Sequence, residues 1–156
     1  MKEKLWLFIT KFLLISVPLF LLWHWKGQSY YLIFLNQTLT LILIKVAGFD
    51  IQGFPAPVDI FNNLIPFVSL MAITRGMPLK VRLSRLGWGL LILIGWHMIL
   101  TEIVYLMYSK EGVPLPSYEK LSVPIYLFSE TLPFLLWILF ARKQVAGLFL
   151  RGQSSR

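Results

Sequence analysis

The chain of 156 residues is 57% hydrophobic and 14% charged, carries a net charge of +8 and contains no Cys. A soluble domain is nearer half apolar and a quarter charged, so this balance excludes an ordinary soluble protein and indicates a polytopic membrane protein. The lack of Cys excludes disulfides, thiolate metal sites, iron–sulfur clusters and a Cys nucleophile, and at this length we expect a single domain.

Apolar runs along the chain approach the roughly 20 residues that a helix needs to cross a bilayer. They predict an all-α integral membrane fold, a compact bundle of about five transmembrane helices at residues 5–25, 30–46, 60–74, 86–108 and 121–141. His24, Trp25 and Lys26 follow the first run and are typical of an interfacial anchor. Residues 142–156 mix basic and apolar side chains, which favours an amphipathic tail on the membrane surface.

Basic residues predict the side of the membrane that each loop faces, because cytoplasmic loops carry more Lys and Arg. Residues 75–85 and the tail each contain four of them, so we expect both in the cytoplasm, at an inner (cytoplasmic) membrane. Five crossings then place the N-terminus outside, against the charges of Lys2 and Lys4, whereas a re-entrant second segment would place it inside. The positive charge belongs to such loops, so we expect no nucleic-acid partner.

Polar side chains inside apolar helices are costly and often functional. The candidate functional polar cluster contains Asn62, Asn63, His97, Glu102 and Glu130. In the predicted topology, His97 lies near mid-membrane and the other four lie in the outer half. Glu102 is five positions from His97, about 140° around a helix, so one helix does not present the two as a dyad.

Several of these candidates also have a purely structural interpretation. Asn63 suits the N-cap of the third helix, where Asn is favoured. Glu130 suits a protonated carboxyl bonded to a Ser or Thr of the next helix, and His97 suits a packed, hydrogen-bonded position beside Trp96. We expect no metal and no cofactor, because two His are few for a metal centre and bis-His haem would need His24 and His97 at one depth.

An ordered series of features fills residues 31–105. Gly48 follows the second apolar run, Gly53 lies in the next loop, and the turn DIFNNL (residues 59–64) precedes a helix, the basic loop and then the helix that carries His97. This layout resembles that of the exosortase/archaeosortase family of membrane protein-sorting transpeptidases. In that family a Cys-containing turn opens the corresponding helix.

The chain departs from that family at its catalytic residues. The family uses a Cys nucleophile assisted by an Arg and by a His or Asn on later helices. Asn63 or Leu64 stands at the Cys position, Arg75 is no counterpart of the catalytic Arg because it ends the third helix, and His97 is near the position of the last family residue. Without Cys the thiolate chemistry is impossible. The resemblance therefore implies a shortened, catalytically silent relative that assists protein sorting or envelope or exopolysaccharide export.

Two classes of function follow from these observations. In the first, an exosortase-like protein binds a client transmembrane segment or a partner helix through the polar cluster. In the second, the chain is a small accessory subunit of a transport or energy-coupling complex, with Glu102, His97 and Glu130 as a proton or cation path. An enzyme using Glu102 or His97 as an acid or base is the least favoured, since no triad is recognisable. The expected partners are the lipid bilayer and another membrane protein.

Overall fold

The computed structural model describes residues 5–42, 58–106 and 116–149, and within them the chain is helical apart from short connections, with no strand. The elements are α1 (Leu5–Leu22), a π-helical segment (Trp23–Gly27), α2 (Gln28–Ile42), a 3₁₀ segment (Val58–Asn63), α3 (Leu64–Ile73), α4 (Leu79–Leu106), α5 (Pro116–Phe140) and α6 (Arg142–Phe149). The predicted all-α class is confirmed. Gly48 and Gly53 lie outside the described residues.

The described part of the chain supports three long membrane helices rather than the predicted five. The stretches long and apolar enough to cross a membrane are Trp6–Thr38, Leu79–Val104 and Lys120–Phe140. The first two predicted helices form one continuous helix, and the third corresponds to a shorter apolar helix, Phe61–Ile73. The structure therefore indicates an all-α membrane protein whose helix boundaries differ from those predicted from the sequence.

The π-helical segment is what joins the first two predicted helices. The N–H of Gln28 donates to the carbonyl of Trp23, five residues back, so the backbone stays hydrogen-bonded past the polar residues that predicted a break. A π turn holds one extra residue. Trp23 and Tyr31 are eight positions apart, so on an ideal α-helix their side chains would point in directions about 80° apart. Because the π turn takes up one extra residue, the angle between the two directions falls to about 20°, and the two side chains lie on the same face. Their rings indeed pack together, with centroids 5.4 Å apart.

The start of α1, the segment between α3 and α4, and the end of α5 lie together at one end of the bundle. The rings of Phe8 and Trp137 pack with centroids 5.8 Å apart, and the Arg85 guanidinium donates to the carbonyl of Phe140. We call this the basic end, defined by the side chains of Lys11, Arg75, Arg82 and Arg85. The five-crossing topology, with the N-terminus on the opposite side from residues 75–85, does not describe this arrangement.

α3 is the centre of the bundle. Seven of its ten residues are buried, including Phe67 and Met71, and it packs against α1, α4 and α5. A helix that is apolar on all faces is stable only when it is surrounded by other helices or by lipid. α4 approaches it closely at Gly89, where a Cβ atom would lie 2.0 Å from Cζ of Phe67. α3 then ends at a turn in which Gly76 has a φ of 77°, and this turn leads the chain into α4.

The described part of the tail is the helix α6, which has one buried apolar side and an exposed basic side. Within α6, Val145 is buried in the main apolar core while Arg142 and Lys143 are exposed. The N–H groups of Gln144 and Val145 both donate to the carbonyl of Ala141. α6 therefore continues the chain from α5 while packing its apolar side on the bundle at the basic end.

Candidate functional site

A chain of hydrogen bonds connects α2, the 3₁₀ segment that precedes α3, α4 and α5. The Tyr31 hydroxyl lies 2.7 Å from Nδ1 of His97, and Nε2 of His97 lies 2.9 Å from Oδ1 of Asn63. Nδ2 of Asn63 donates to the backbone carbonyl of Ser129 at 3.0 Å, and Nε1 of Trp96 donates to the Ser129 hydroxyl at 2.8 Å. We call these five residues the polar network. His97, Asn63 and Ser129 are at most 1% exposed.

The acceptor at Ser129 sets the donor and acceptor roles throughout the network. A carbonyl only accepts, so Asn63 must turn its NH₂ group toward Ser129 and its Oδ1 toward His97. Nε2 of His97 must then donate, which leaves Nδ1 of the neutral ring to accept from the Tyr31 hydroxyl. Each of these polar atoms thus has the partner that its chemistry requires. The interpretation of His97 as a packed, hydrogen-bonded residue is confirmed.

Asn63 also compensates for a proline in α5. The carbonyl of Ser129 would normally accept from the N–H four residues later, but that residue is Pro133, which has none. Asn63 supplies the missing donor from α3. Asn63 is the N-cap residue of α3, as expected, but its side chain makes no capping bond. The side chain serves two other helices instead.

The network holds no open catalytic group. The hydroxyl of Ser129 is fully buried and accepts from Trp96, and both ring nitrogens of His97 are already engaged. A buried polar network whose members are all satisfied rigidifies a core and specifies its packing. We conclude that the network fixes α1–α2, α3, α4 and α5 relative to one another.

A groove of about 360 Å³ lies beside the network, between α1, α3 and α5. Its walls are mostly apolar and include Phe12, Val17 and Leu21 of α1. Its polar lining consists of four side chains, Ser16, Asn62, Asn63 and Glu130. We call it the α1–α3–α5 groove. It brings three of the five predicted candidates together, since Asn62, Asn63 and Glu130 all line it.

Two buried polar atoms at this groove have no hydrogen-bond partner among the described residues. They are Oγ of Ser16 and Oδ1 of Asn62. A buried hydroxyl or amide without a partner is unfavourable by about 1–3 kcal/mol, so such atoms are uncommon in native structures. Both residues line the groove.

Glu130 lies at the centre of the apolar stretch within α5. It is ten positions from either end of the apolar stretch Lys120–Phe140, and its side chain is half-buried. The neighbouring hydroxyls are occupied elsewhere, because Ser129 accepts from Trp96 and Thr131 donates to carbonyls of its own helix. Ser129 and Thr131 lie on the same helix as Glu130, so the expected bond to a Ser or Thr of the next helix stays a prediction. The side chain of Glu130 lines the groove.

His97 and Glu102 are placed differently from the prediction. His97 bonds to Asn63, so the two side chains lie level with each other, whereas His97 is expected to lie deeper than Asn63. Glu102 is half-buried but belongs neither to the polar network nor to the lining of the groove. The separation of His97 and Glu102 on one helix is thus seen in the structure, and no neighbouring helix bridges them within the network.

Tyr31, Trp96, Ser129 and Ser16 were not among the predicted site residues. Their residue types are common at membrane interfaces and within helices, and no local spacing distinguishes them. Pro133 was the one available signal, because a proline inside a helix leaves a carbonyl that needs a donor from elsewhere.

Among the described residues, no three His, Asp or Glu side chains lie together. The α1–α3–α5 groove is the arrangement that could engage another molecule. Its apolar walls contain the carboxyl of Glu130 and two oxygen atoms without a partner among the described residues, Oγ of Ser16 and Oδ1 of Asn62. Compared with known proteins, the chain matches no family model, no curated protein and no solved structure.

Proposed function

We propose that the protein is a catalytically silent, exosortase-like membrane protein that binds a client or partner transmembrane helix in the α1–α3–α5 groove. The observation that carries this proposal is the combination of Glu130, Asn62 and Ser16 around an open volume at mid-helix. In hydrocarbon, polar side chains on neighbouring helices bond to one another because no water competes. A helix with a polar side chain at its centre would satisfy these atoms.

The groove opens toward the lipid-facing side of the bundle. Val17 and Leu21 line it and are 53% and 64% exposed, on an apolar helix that would lie in the bilayer. An occupant would therefore arrive sideways through the membrane, as a transmembrane helix does. Such a role agrees with assistance to protein sorting or polysaccharide export, in which clients carry membrane segments.

The hydrogen bond between Asn63 and His97 supports the family part of the proposal. The resemblance placed Asn63 or Leu64 at the position of the family's Cys and His97 near that of its last catalytic residue. The two positions are in contact, 2.9 Å apart, as a catalytic pair would be. With an amide in place of the thiol and all partners satisfied, the same arrangement supports packing rather than transpeptidation.

The proton or cation path is the weaker alternative. It requires Glu102, His97 and Glu130 to be connected, but both nitrogens of His97 are engaged by Tyr31 and Asn63. Glu102 lies outside both the network and the groove. A transport subunit would have to use Glu130 alone.

A site-specific crosslinking experiment tests the groove. A photoreactive phenylalanine at Leu21 is expected to form an adduct with a transmembrane segment of another protein in native membranes, as mapped by mass spectrometry. The matched control is the same residue at Leu91 of α4, which is 60% exposed but outside the groove. Equal adducts at both positions, or adducts with lipid alone at Leu21, would contradict helix binding.

Substitutions of Glu130, which lines the groove, and of Glu102, which does not, test the role of the carboxyl in the same crosslinking experiment. Glu130→Leu should lower the yield of the Leu21 adduct about threefold or more, because interhelical hydrogen bonds in membranes contribute about 0.6–2 kcal/mol. Glu130→Gln should retain most of it, since the amide still bonds. Glu102→Leu should leave the yield unchanged, because Glu102 does not line the groove. A loss with Glu102→Leu equal to that with Glu130→Leu would refute this assignment.

We further propose that the basic end faces the cytoplasm. Residues 75–85 carry four of the basic residues, and Lys11 near the start of α1 lies at the same end. A Cys replacing the exposed Ser84 should resist an impermeant thiol reagent added to intact cells and react after permeabilisation. A Cys replacing Ser117 should react without permeabilisation, and the reverse pattern would invert the topology.

A further inference from the structure

Three polar side chains share the α1–α3–α5 groove with apolar walls. Asn62 and Glu130 lie close to the same level, because each is the chain neighbour of one residue in the bonded pair formed by Asn63 and Ser129. Ser16 lines the same volume from α1. Asn63 also lines the groove, but both polar atoms of its amide are already bonded within the polar network. The groups left for an occupant are therefore those of Ser16, Asn62 and Glu130.

Ser16 differs from threonines of the described helices in the use of its hydroxyl. The hydroxyls of Thr10, Thr101 and Thr131 donate to the carbonyl four residues earlier in their own helices. Such a bond satisfies a hydroxyl within a helix without a partner from outside. Oγ of Ser16 is buried and has no such bond, nor any other partner among the described residues. Its hydroxyl proton is thus available to an acceptor in the groove.

The other two side chains require a donor. Oδ1 of Asn62 is buried without a partner among the described residues, and an amide oxygen only accepts. The carboxyl of Glu130 keeps an accepting oxygen whether or not it is protonated. The described lining of the groove contains no Lys, Arg or His that would donate to it. The groove therefore presents two acceptors and one hydroxyl donor in apolar surroundings.

We infer that the client helix carries an Asn or Gln at its centre and that its carboxamide enters the groove. This inference rests on the proposed function and names the chemistry of the occupant. A carboxamide has two N–H donors and one carbonyl acceptor, which match the acceptors of Asn62 and Glu130 and the hydroxyl of Ser16. A Lys ammonium only donates and leaves the Ser16 hydroxyl without an acceptor, and a Ser or Thr hydroxyl has a single donor.

Synthetic transmembrane peptides test this chemistry. The purified full chain with the photoreactive phenylalanine at Leu21 is reconstituted into dioleoylphosphatidylcholine vesicles with an apolar helical peptide of about 20 residues. The central residue of the peptide is Asn, Lys or Leu, and the peptide density is kept below saturation. The Asn peptide should give about threefold to thirtyfold more adduct than the Leu peptide, the range expected for hydrogen bonds between membrane helices, and more than the Lys peptide.

Variants of the groove locate the effect. Ser16→Ala and Asn62→Ala should each lower the preference for the Asn peptide over the Leu peptide about threefold, because each removes one partner of the carboxamide. Thr10→Val is the matched control on α1, since the Thr10 hydroxyl bonds to its own helix and does not line the groove. It should leave the preference unchanged.

The outcomes separate this inference from the proposed function. Equal adducts with the Asn and Leu peptides, or more adduct with the Lys peptide, would overturn the carboxamide assignment while helix binding in the groove still stands. The absence of adducts with every peptide would also overturn the assignment. The proposed function is judged separately, by the adducts that the photoreactive residue at Leu21 forms in native membranes.

Discussion

Gly89→Ala is expected to destabilise the protein strongly, because the added methyl group has no space. A Cβ at this position would lie 2.0 and 2.3 Å from Cζ and Cε1 of Phe67, whose ring is completely buried in the core. Overpacking of a core typically destabilises by about 1–3 kcal/mol, and an overlap this deep lies at or beyond the upper end. The measurement is the thermal unfolding of the purified protein, or its monodispersity in detergent after heating.

Two other glycines of α4 serve as controls. Gly87 and Gly95 have nothing within 4 Å of an added Cβ, so Ala at either should be neutral or stabilising by up to about 1 kcal/mol through its better helix propensity. Phe67→Leu should partly rescue Gly89→Ala, since the shorter side chain vacates the space of the ring edge. If Gly89→Ala unfolds no earlier than Gly95→Ala, the close contact between α3 and α4 is not as described.

Asn63→Ala should lower the unfolding temperature by about 5–15 °C. The change removes the acceptor of His97 Nε2 and the donor to the Ser129 carbonyl, which leaves two buried polar groups unpaired at about 1–3 kcal/mol each. Asn62→Ala is the matched control one residue earlier. It removes an amide oxygen that has no partner among the described residues, so it should be neutral or slightly stabilising.

Pro133→Ala provides a specific rescue of Asn63→Ala. Alanine restores the N–H that α5 lacks, so the Ser129 carbonyl regains a donor from its own helix. The double variant should therefore be more stable than Asn63→Ala, and a double-mutant cycle should show coupling between these residues of α3 and α5. Additive effects of the two substitutions would show that Asn63 does not compensate for the proline.

The membrane class could be predicted from the sequence because it depends only on composition and run length. The division into helices could not be predicted, because a polar residue in an apolar run can end a helix or lie inside one. Lys26 lies within a continuous helix, and Lys80 and Arg82 lie in the first turns of α4. Lys and Arg are good helix formers, and their long side chains reach the membrane surface from inside a helix. A charged residue therefore does not by itself mark the end of a helix.

Part of the candidate site could also be predicted. Polarity at membrane depth was enough to select Asn62, Asn63 and Glu130, which share one groove, and His97, which bonds to Asn63. Polarity could not exclude Glu102, because the sequence shows that a carboxyl is present in the helix but not the direction in which the side chain points. Nor could it find Tyr31, because contact with His97 depends on the rotation that the π-helical segment introduces between α1 and α2.

That π-helical segment has a consequence for comparison among related sequences. The extra residue in Trp23–Gly27 divides one helix into two rotational frames, so a single repeat of apolar positions cannot describe both halves. A relative that lacks one residue in this segment would keep the contact of its Tyr31 equivalent with His97 while continuing as an ordinary α-helix. Alignments should accordingly admit a one-residue gap inside this apolar helix, a position where gaps are normally penalised most heavily.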